Sequence, residues 1–367
     1  MRALRRRSAQ GPGNDRLTAR HILSYAQTLD GGGVERALLR LAAGWIAAER
    51  RVTLAIGDAS GPLAAELPQG VDIVALGGTD YRRMLALPGV VRRYAPDVIF
   101  CPGNHYTSIA AWTRARLGTQ CPPIVAKLSN ATARGDHGAI TAAGHRVWLA
   151  LHARFLDHLV AMTPATAAAA QGAMRMRGRV SVIANPPAMP REGPATPLPP
   201  GSFVLGVGRL VPQKRWDRLV AALPHLPPAT SLVILGEGPC RAALAAQAAA
   251  LGVRLHLPGH TADPLPAMAQ ARVVALTSDY EGVPGVLREA LSVGTPVVAT
   301  DSSPAINEIV ATPALGSIVA RDDTAALVAA LRHWLSPFAS RPMPVPQPGA
   351  DSAKRYLDLF DRLVAQV

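Results

Sequence analysis

Residues 272–301, RVVALTSDYEGVPGVLREALSVGTPVVATD, hold two apolar runs, RVVALTS and PVVATD, on either side of a helical segment at 284–293. Neither run alternates polar with apolar residues, so each reads as a strand buried on both faces. Two such strands joined through a helix read as neighbours in a parallel sheet. Toward the N-terminus, FVLGVG, SLVILG and VRLHL repeat the strand signal, with helical candidates at 215–222, 240–251 and 263–271. A further helix is expected near 323–335. The whole is one α/β unit.

A second series precedes it. HILSYA, RVTLAIG, VDIVALG, DVIFCPG, PIVAKLS and DHLVAMT alternate with helical segments at Val34 to Glu49, 82–94, 105–117 and 144–156. In the first of these helices Val34, Leu38, Leu41 and Trp45 share one face. Between the two series lies VSVIANPPAMPREGPATPLPPGS, whose prolines neither continue helices nor donate ladder hydrogen bonds, so it reads as a linker. A second proline-rich break, RPMPVPQPG, precedes the amphipathic SAKRYLDLFDRLVAQV. The expected organisation is a basic arm at 1–20, a first domain at 21–185, a second at 186–345, and a terminal helix at 350–367 packing back on the first domain. Tandem sheets of this kind place a ligand cleft between the carboxyl ends of their strands.

At 367 residues the chain has length for two cored domains. Lys and Arg outnumber Asp and Glu by 38 to 25, a formal charge of +13, which points to anionic partners: nucleotides, acidic membrane surfaces or nucleic acid. Aromatic residues are only 4% of the chain, and the basic residues are not interleaved with stacking rings, so no nucleic acid is expected. Cys101, Cys121 and Cys240 are spaced for neither a disulfide framework nor a zinc site, which suggests a reducing compartment. With no membrane-spanning run and no secretory leader in MRALRRRSAQGPGNDR, the expected location is cytoplasmic. Arg2, Arg5, Arg6 and Arg7 make the first residues either a solvated tail or a weak anchor for anionic lipid at the inner face of the membrane.

Four stretches carry candidate chemistry. TLDGGGVERALLRLA puts Gly31, Gly32 and Gly33 between a strand and a helix start, which serves equally as a tight turn or as a cradle for an anion at the helix N-terminus. It is neither a G-x-x-x-x-G-K-[ST] loop nor G-x-G-x-x-G, which argues against a nicotinamide enzyme. GVGRLVPQKRWDRLV brings Arg209 and Lys214 to the cleft end of a strand, where a planar fork and a point charge suit a diphosphate. Arg215 and Arg218 read better as a solvated helix face. LGEGPCRAAL closes another strand with Gly236, Glu237 and Gly238, a turn that permits close ligand approach. In the opening stretch Glu281 lies before the helix, where its dipole favours a carboxylate, but Glu289 lies inside it among Leu287, Ala290 and Leu291. Buried there, it needs donors such as sugar or ribose hydroxyls.

SDYEGVPGVLREALSVGTPVVATD resembles the E-x7-E signature of retaining glycosyltransferases of family 4. GVGRLVPQKRWDRLV is similar to that family's diphosphate-binding stretch, LGEGPCRAAL to its nucleotide-side loop and GGGVERALLRLA to its N-terminal glycine loop, and the likeness covers most of residues 21–335. The resemblance implies an α/β fold of the GT-B type, two Rossmann-like domains facing an inter-domain cleft. It implies a nucleotide-diphosphate sugar as co-substrate, a glycan or lipid-linked acceptor, and retention of configuration, in envelope polysaccharide or lipopolysaccharide assembly. By that resemblance Arg209 and Lys214 contact the donor diphosphate, Glu289 the ribose and Glu281 the transferred sugar. Gly32 and Gly33 line the cleft from the first domain, and Gly236, Glu237, Gly238 and Gly282 complete the donor side. Many relatives carry a histidine at the end of a first-domain strand; here Ser129 and Asn130 take that place, with His105 and His137 as substitutes on the acceptor side. No D-x-D triplet occurs, and no metal or other cofactor is expected. The rival readings are a nucleotide-sugar epimerase of related architecture and, from another class, a basic nucleic-acid-binding protein.

Overall fold

The computed structural model describes residues 18–30, 32–131, 139–188 and 196–366. In the first domain β1 (His21–Thr28), α1 (Gly33–Ala47), β2 (Arg51–Asp58), β3 (Asp72–Ala75), α2 (Leu87–Tyr94), β4 (Val98–Cys101), α3 (Thr107–Leu117), β5 (Ile124–Lys127), α4 (Ala139–Leu151), β6 (His158–Ala161), α5 (Pro164–Ala173) and β7 (Val180–Val182) follow in chain order. The second domain runs β8 (Phe203–Val207), α6 (Trp216–Ala222), β9 (Ser231–Leu235), α7 (Arg241–Leu251), β10 (Leu255–Gly259), α8 (Leu265–Gln270), β11 (Val273–Leu276), α9 (Gly285–Ser292), β12 (Val297–Thr300), α10 (Pro304–Ile309), β13 (Gly316–Val319) and α11 (Thr324–Leu335). The last helix is α12 (Ser352–Val364).

All pairings are parallel, in the orders β3-β2-β1-β4-β5-β6-β7 and β10-β9-β8-β11-β12-β13. Each sheet reverses its winding beside its first strand: Ile22 of β1 pairs with Val52 and Val98, and Val204 of β8 with Leu232 and Val273. The central strands are buried on both faces, as their unbroken apolar sequences require. Loops leaving the carboxyl ends at these two reversal points diverge to opposite sheet faces and open a crevice, which is where ligands bind in doubly wound sheets.

Four elements differ from the sequence expectation by their presence. β7, of three half-buried residues running into prolines, and β13, an edge strand starting at a glycine, are too short to show a period. Helix α5 is mostly alanine, so its apolar pattern is weak; Thr163 caps it, accepting from Thr166 N and returning a reciprocal capping box. Helix α10 is a six-residue segment whose start is fixed by Ser303 accepting from Ala305 N.

The chain crosses between domains twice. On the return, Ser352 Oγ donates to Ala184 O at 2.6 Å and Arg355 to Val182 O at 2.7 Å, so α12 lies against the first domain. Tyr356 and Phe360 pack with Trp45 and Phe100 at centroid separations of 5.2–6.2 Å, mostly edge to face. The close helix contact needs Gly44, where a Cβ would stand 2.4 Å from Ala353 Cβ. No helix among the described residues is long and apolar enough to cross a membrane.

Candidate functional site

On the second-domain side, two loops from the reversal point are joined to each other. Thr277 Oγ1 donates to Lys214 O and Arg215 O, Gln213 Nε2 to Tyr280 O at 2.7 Å, and Asp279 N to Gln213 O at 2.9 Å. At their junction Lys214 Nζ stands 2.6 Å from Glu281 Oε1, which also accepts from Ser278 Oγ at 2.6 Å. The lysine and glutamate side chains are only 15% and 11% exposed. The lysine stem passes over Gly208, where a Cβ would sit 3.3 Å from Lys214 Cε. Glu281 is fixed at its backbone by donation to Ser302 O, and Ser303 Oγ donates to Gly282 O.

Arg209 is exposed at the end of β8, and Trp216 Nε1 holds its carbonyl at 3.0 Å. It lines a cavity of about 420 Å³ with Gln213, Asp279 and Tyr280. Arg215 also lines this cavity but pairs with Asp217 and Asp279, and Arg218 pairs with Asp279 and Asp322. Three of the four cations in this stretch, Lys214, Arg215 and Arg218, are thus paired with carboxylates within the domain. Glu289 turns back along α9 toward Gly285. Burial pushes its carboxyl above the usual range, opposed by Arg40 and Arg36 of α1 and reinforced by Asp263. It therefore looks across the crevice at the first domain.

The turn of Gly236, Glu237 and Gly238 also has a packing role. A Cβ at Gly236 would lie 2.1 Å from Gly208 O, and one at Gly238 2.5 Å from Leu210 O, so these glycines accommodate the neighbouring backbone. Glu237 pairs with Arg241 at 2.8 Å on the following helix. The turn supports the Arg209 loop from behind.

Across the crevice, Gly32 and Gly33 begin α1, but Glu35 answers the positive helix end itself: a Cβ on Gly32 would lie 2.5 Å from Glu35 Oε2. Glu35 also accepts from Tyr106 OH at 3.2 Å and stands 4.0 Å from His105 Nε2. The anion cradle expected of the glycine loop is therefore shared with a carboxylate. The His105 ring lies tilted against that of Tyr106, with centroids 3.8 Å apart. Burial lowers its pKa, Glu35 raises it, and Arg209, from the other domain, and Lys127 lower it again. Behind them Lys127 is fully buried, donating to Asn185 Oδ1 at 3.3 Å, and burial lowers its pKa to about 8 against the pull of Glu35.

Ser129 and Asn130 are clamped by Asn104, whose Oδ1 accepts from Ser129 N, Ser129 Oγ and Asn130 N at 2.8–2.9 Å. Against this loop lies Gly282, where a Cβ would meet Ser129 O at 2.3 Å and Asn130 Cα at 2.9 Å. The two domains touch at that point, beside Glu281. His137 lies outside the described residues. Asn104, Glu35 and Lys127 escaped the sequence reading because each acts through a partner distant in the chain, whereas Ser278 lies three residues before its partner Glu281; Glu35, in the first turn after three glycines, also had a local signal. Among the described residues no three of His, Cys, Asp and Glu gather as a metal site.

Residues 31–186 match the family model described as Glycosyltransferase Family 4, and residues 201–336 the model described as Glycosyl transferases group 1. The GDP-mannose-dependent α-(1-6)-phosphatidylinositol monomannoside mannosyltransferase of Mycolicibacterium smegmatis is 37% identical over 147 residues, 36% of this chain and 38% of that protein. The N-acetylgalactosamine-N,N'-diacetylbacillosaminyl-diphospho-undecaprenol 4-α-N-acetylgalactosaminyltransferase of Campylobacter jejuni is 32% identical over 135 residues, 36% of this chain and 37% of that protein. The matched part thus spans less than two fifths of either relative. Among solved structures, Anabaena HepE in complex with UDP-glucose superposes with a TM-score of 0.68 at 20% identity, over 94% of this chain and 98% of that one. With two parallel sheets in this arrangement and both halves matched by their models, the chain belongs to the group 1, family 4 glycosyltransferases and has the GT-B fold.

Proposed function

We propose that the chain transfers a sugar from a nucleotide-diphosphate sugar to a hydroxyl of a glycan or lipid-linked acceptor, with retention of configuration, in assembly of an envelope polysaccharide or lipopolysaccharide. The observation that carries this reading is the Lys214–Glu281–Ser278 cluster, set beside exposed Arg209 at one sheet's reversal point and opposite Glu35 and His105 at the other's. The donor class and the lipid-linked acceptor class are supported by the similar proteins, one dependent on GDP-mannose, one acting on a diphospho-undecaprenol acceptor and one in complex with UDP-glucose.

The sugar–phosphate bond breaks as negative charge builds on the departing diphosphate and positive charge on the anomeric carbon. Arg209 offers a planar fork and Lys214 a point charge to the phosphates, taking the place that a divalent cation fills in other phosphate sites. A preorganised donor of this kind is worth roughly 2.7–4 kcal/mol of barrier. Glu281 holds Lys214 in place before the donor arrives, and its carboxylate lies where it can favour positive charge on the sugar. Glu289, whose burial raises the pKa of its carboxyl, suits ribose hydroxyls, which can both donate and accept. Acceptor hydroxyls meet the Ser129–Asn130 loop, His105 and Glu35. The Gly282 contact brings those groups against the donor side and excludes water as the domains close. We place the reaction at the inner face of the cytoplasmic membrane, where a lipid-linked acceptor and a soluble donor meet.

The test is transfer itself. The chain is incubated with a panel of nucleotide sugars and lipid-linked glycan acceptors, nucleoside diphosphate release is followed, and the anomeric configuration of the product is read by proton NMR. Acceptor-dependent release with a retained anomer is expected, with Glu281→Ala cutting turnover far more than nucleotide affinity. Conversion of the donor without acceptor, or an inverted product, refutes the reading.

A further inference from the structure

Between residues 81 and 117 the sequence carries six arginines and a single carboxylate, Asp97. That carboxylate is engaged by the backbone N–H groups of Arg20 and His21, both at 2.8 Å, and Arg114 pairs with Asp157. Among the described residues, Arg82, Arg83, Arg92, Arg93 and Arg116 make no ion pair with a carboxylate. Most of them lie on one surface. The exposed positions 82, 85, 89, 92 and 93 follow helical spacing along α2 and the turn before it, and 108, 112 and 116 do the same along α3. The stripes are joined twice: Trp112 Nε1 donates to Leu85 O at 3.0 Å, and Arg92 to Arg116 O at 3.1 Å. Arg116 lies over the Trp112 ring at 5.3 Å.

This surface also exposes large apolar groups, Leu85 at 46% and Trp112 at 39%. With the indole N–H already satisfied, what Trp112 presents outward is hydrocarbon ringed by guanidinium groups. A bare polyanion would engage the arginines but give Leu85 no return, and one ring already covered by Arg116 is not a stacking series. An anionic bilayer meets both features, since arginines are held by its surface potential and Trp and Leu enter the interfacial region.

We propose that this face, formed by Leu85, Trp112, Arg82, Arg92, Arg93 and Arg116, docks on an anionic phospholipid bilayer. Its edge adjoins the cleft: Tyr81 OH donates to His105 O at 2.9 Å and shares a 2.7 Å hydrogen bond with Ser108. A docked molecule presents the first-domain side of its cleft close to the bilayer, a consequence that rests on the lipid-linked acceptor reading above.

The experiment is co-sedimentation of the full chain with vesicles of phosphatidylglycerol and phosphatidylcholine, against phosphatidylcholine alone, with a nucleoside diphosphate titration on every variant. Binding to the anionic vesicles is expected, weakened about fivefold per arginine removed in Arg92→Ser and Arg116→Ser. Leu85→Ser with Trp112→Ser should also weaken it, and that loss should persist at high salt, where electrostatic attraction is screened. Replacing Arg2, Arg5, Arg6 and Arg7 by Ser should retain most of the binding. The proposal is overturned if the wild type ignores anionic vesicles, if binding follows the N-terminal arginines and not this face, or if the face variants lose affinity for a short RNA and not for vesicles. Vesicle binding without nucleotide binding would sink the transferase reading and leave the docking face standing, and the reverse result would do the opposite.

Discussion

Replacing Lys214 by Met removes the cation from a pair whose atoms are 2.6 Å apart and whose side chains are 15% and 11% exposed. At an effective dielectric of about 20 the gross attraction at that distance is roughly 6 kcal/mol, most of it offset by desolvation of the two groups. Glu281 is then left with Ser278 as its donor. An uncompensated buried charge costs about 3–5 kcal/mol, which residual solvent contact reduces here to about 2–3 kcal/mol. In a domain of this size such a loss lowers Tm by roughly 5–10 °C. Glu281→Gln should cost about 1 kcal/mol, since an amide oxygen still accepts from Ser278. The Lys214→Met, Glu281→Gln double variant removes both charges, so its stability should return to within about 1 kcal/mol of wild type, a coupling of at least about 2–3 kcal/mol. Urea unfolding followed by tryptophan fluorescence reads this, with buried Trp216 as a reporter beside the site. Nucleoside diphosphate binding should stay lost in the double variant, because stability is restored without the phosphate-binding cation. Additive single effects, with coupling below about 0.5 kcal/mol, would refute the buried-pair argument.

Three other perturbations test separate parts of the account. Gly282→Ala places a Cβ 2.3 Å from Ser129 O, a backbone atom, so the domains must part; turnover should fall at least about tenfold, and small-angle scattering should show a larger radius of gyration. An unchanged radius counts against the contact. Glu289→Ala should weaken nucleoside diphosphate binding by about 10- to 100-fold while leaving pyrophosphate affinity intact, and equal loss of both denies the ribose role. For Lys127, burial lowers the pKa from 10.5 to about 8, so between those values the unfolded chain binds more protons than the folded one. This contribution to stability is therefore complete above pH 10.5 and is lost as pH falls through about 8. Lys127→Met should flatten that rise in urea midpoint and be the more stable protein at pH 7; an identical pH profile in both proteins contradicts the burial argument.

Much of the architecture is legible because parallel strands buried on both faces leave unbroken apolar runs, as in VIFC and VVAL, and crossover helices leave a 3.6-residue period. β7 and β13 are hidden because three or four residues at a sheet edge carry too little period. Motif spacing places Arg209, Lys214, Glu281 and Gly282 on two loops of one site, since local loop chemistry is written in consecutive residues. What spacing does not express is who pairs with whom. Lys214 and Glu281 are 67 positions apart, and Asn104 reaches Ser129 across 25. The packing role of Gly236 and Gly238 is hidden for a related reason: backbone meeting backbone demands glycine as strictly as a ligand would. The placing of Glu35 beside the glycine loop follows from a helix N-terminus attracting the nearest carboxylate, which the sequence permits but does not decide.

The measurement that reaches the central claim most directly is a calorimetric titration of UDP, GDP, ADP and CMP at physiological salt into the wild type and into the Arg209→Ala, Lys214→Ala double variant. The account predicts that one nucleoside diphosphate binds selectively to the wild type and that the double variant loses it while remaining folded. Equal binding by both proteins, or no binding by the wild type, would contradict the placement of a donor diphosphate between these two loops.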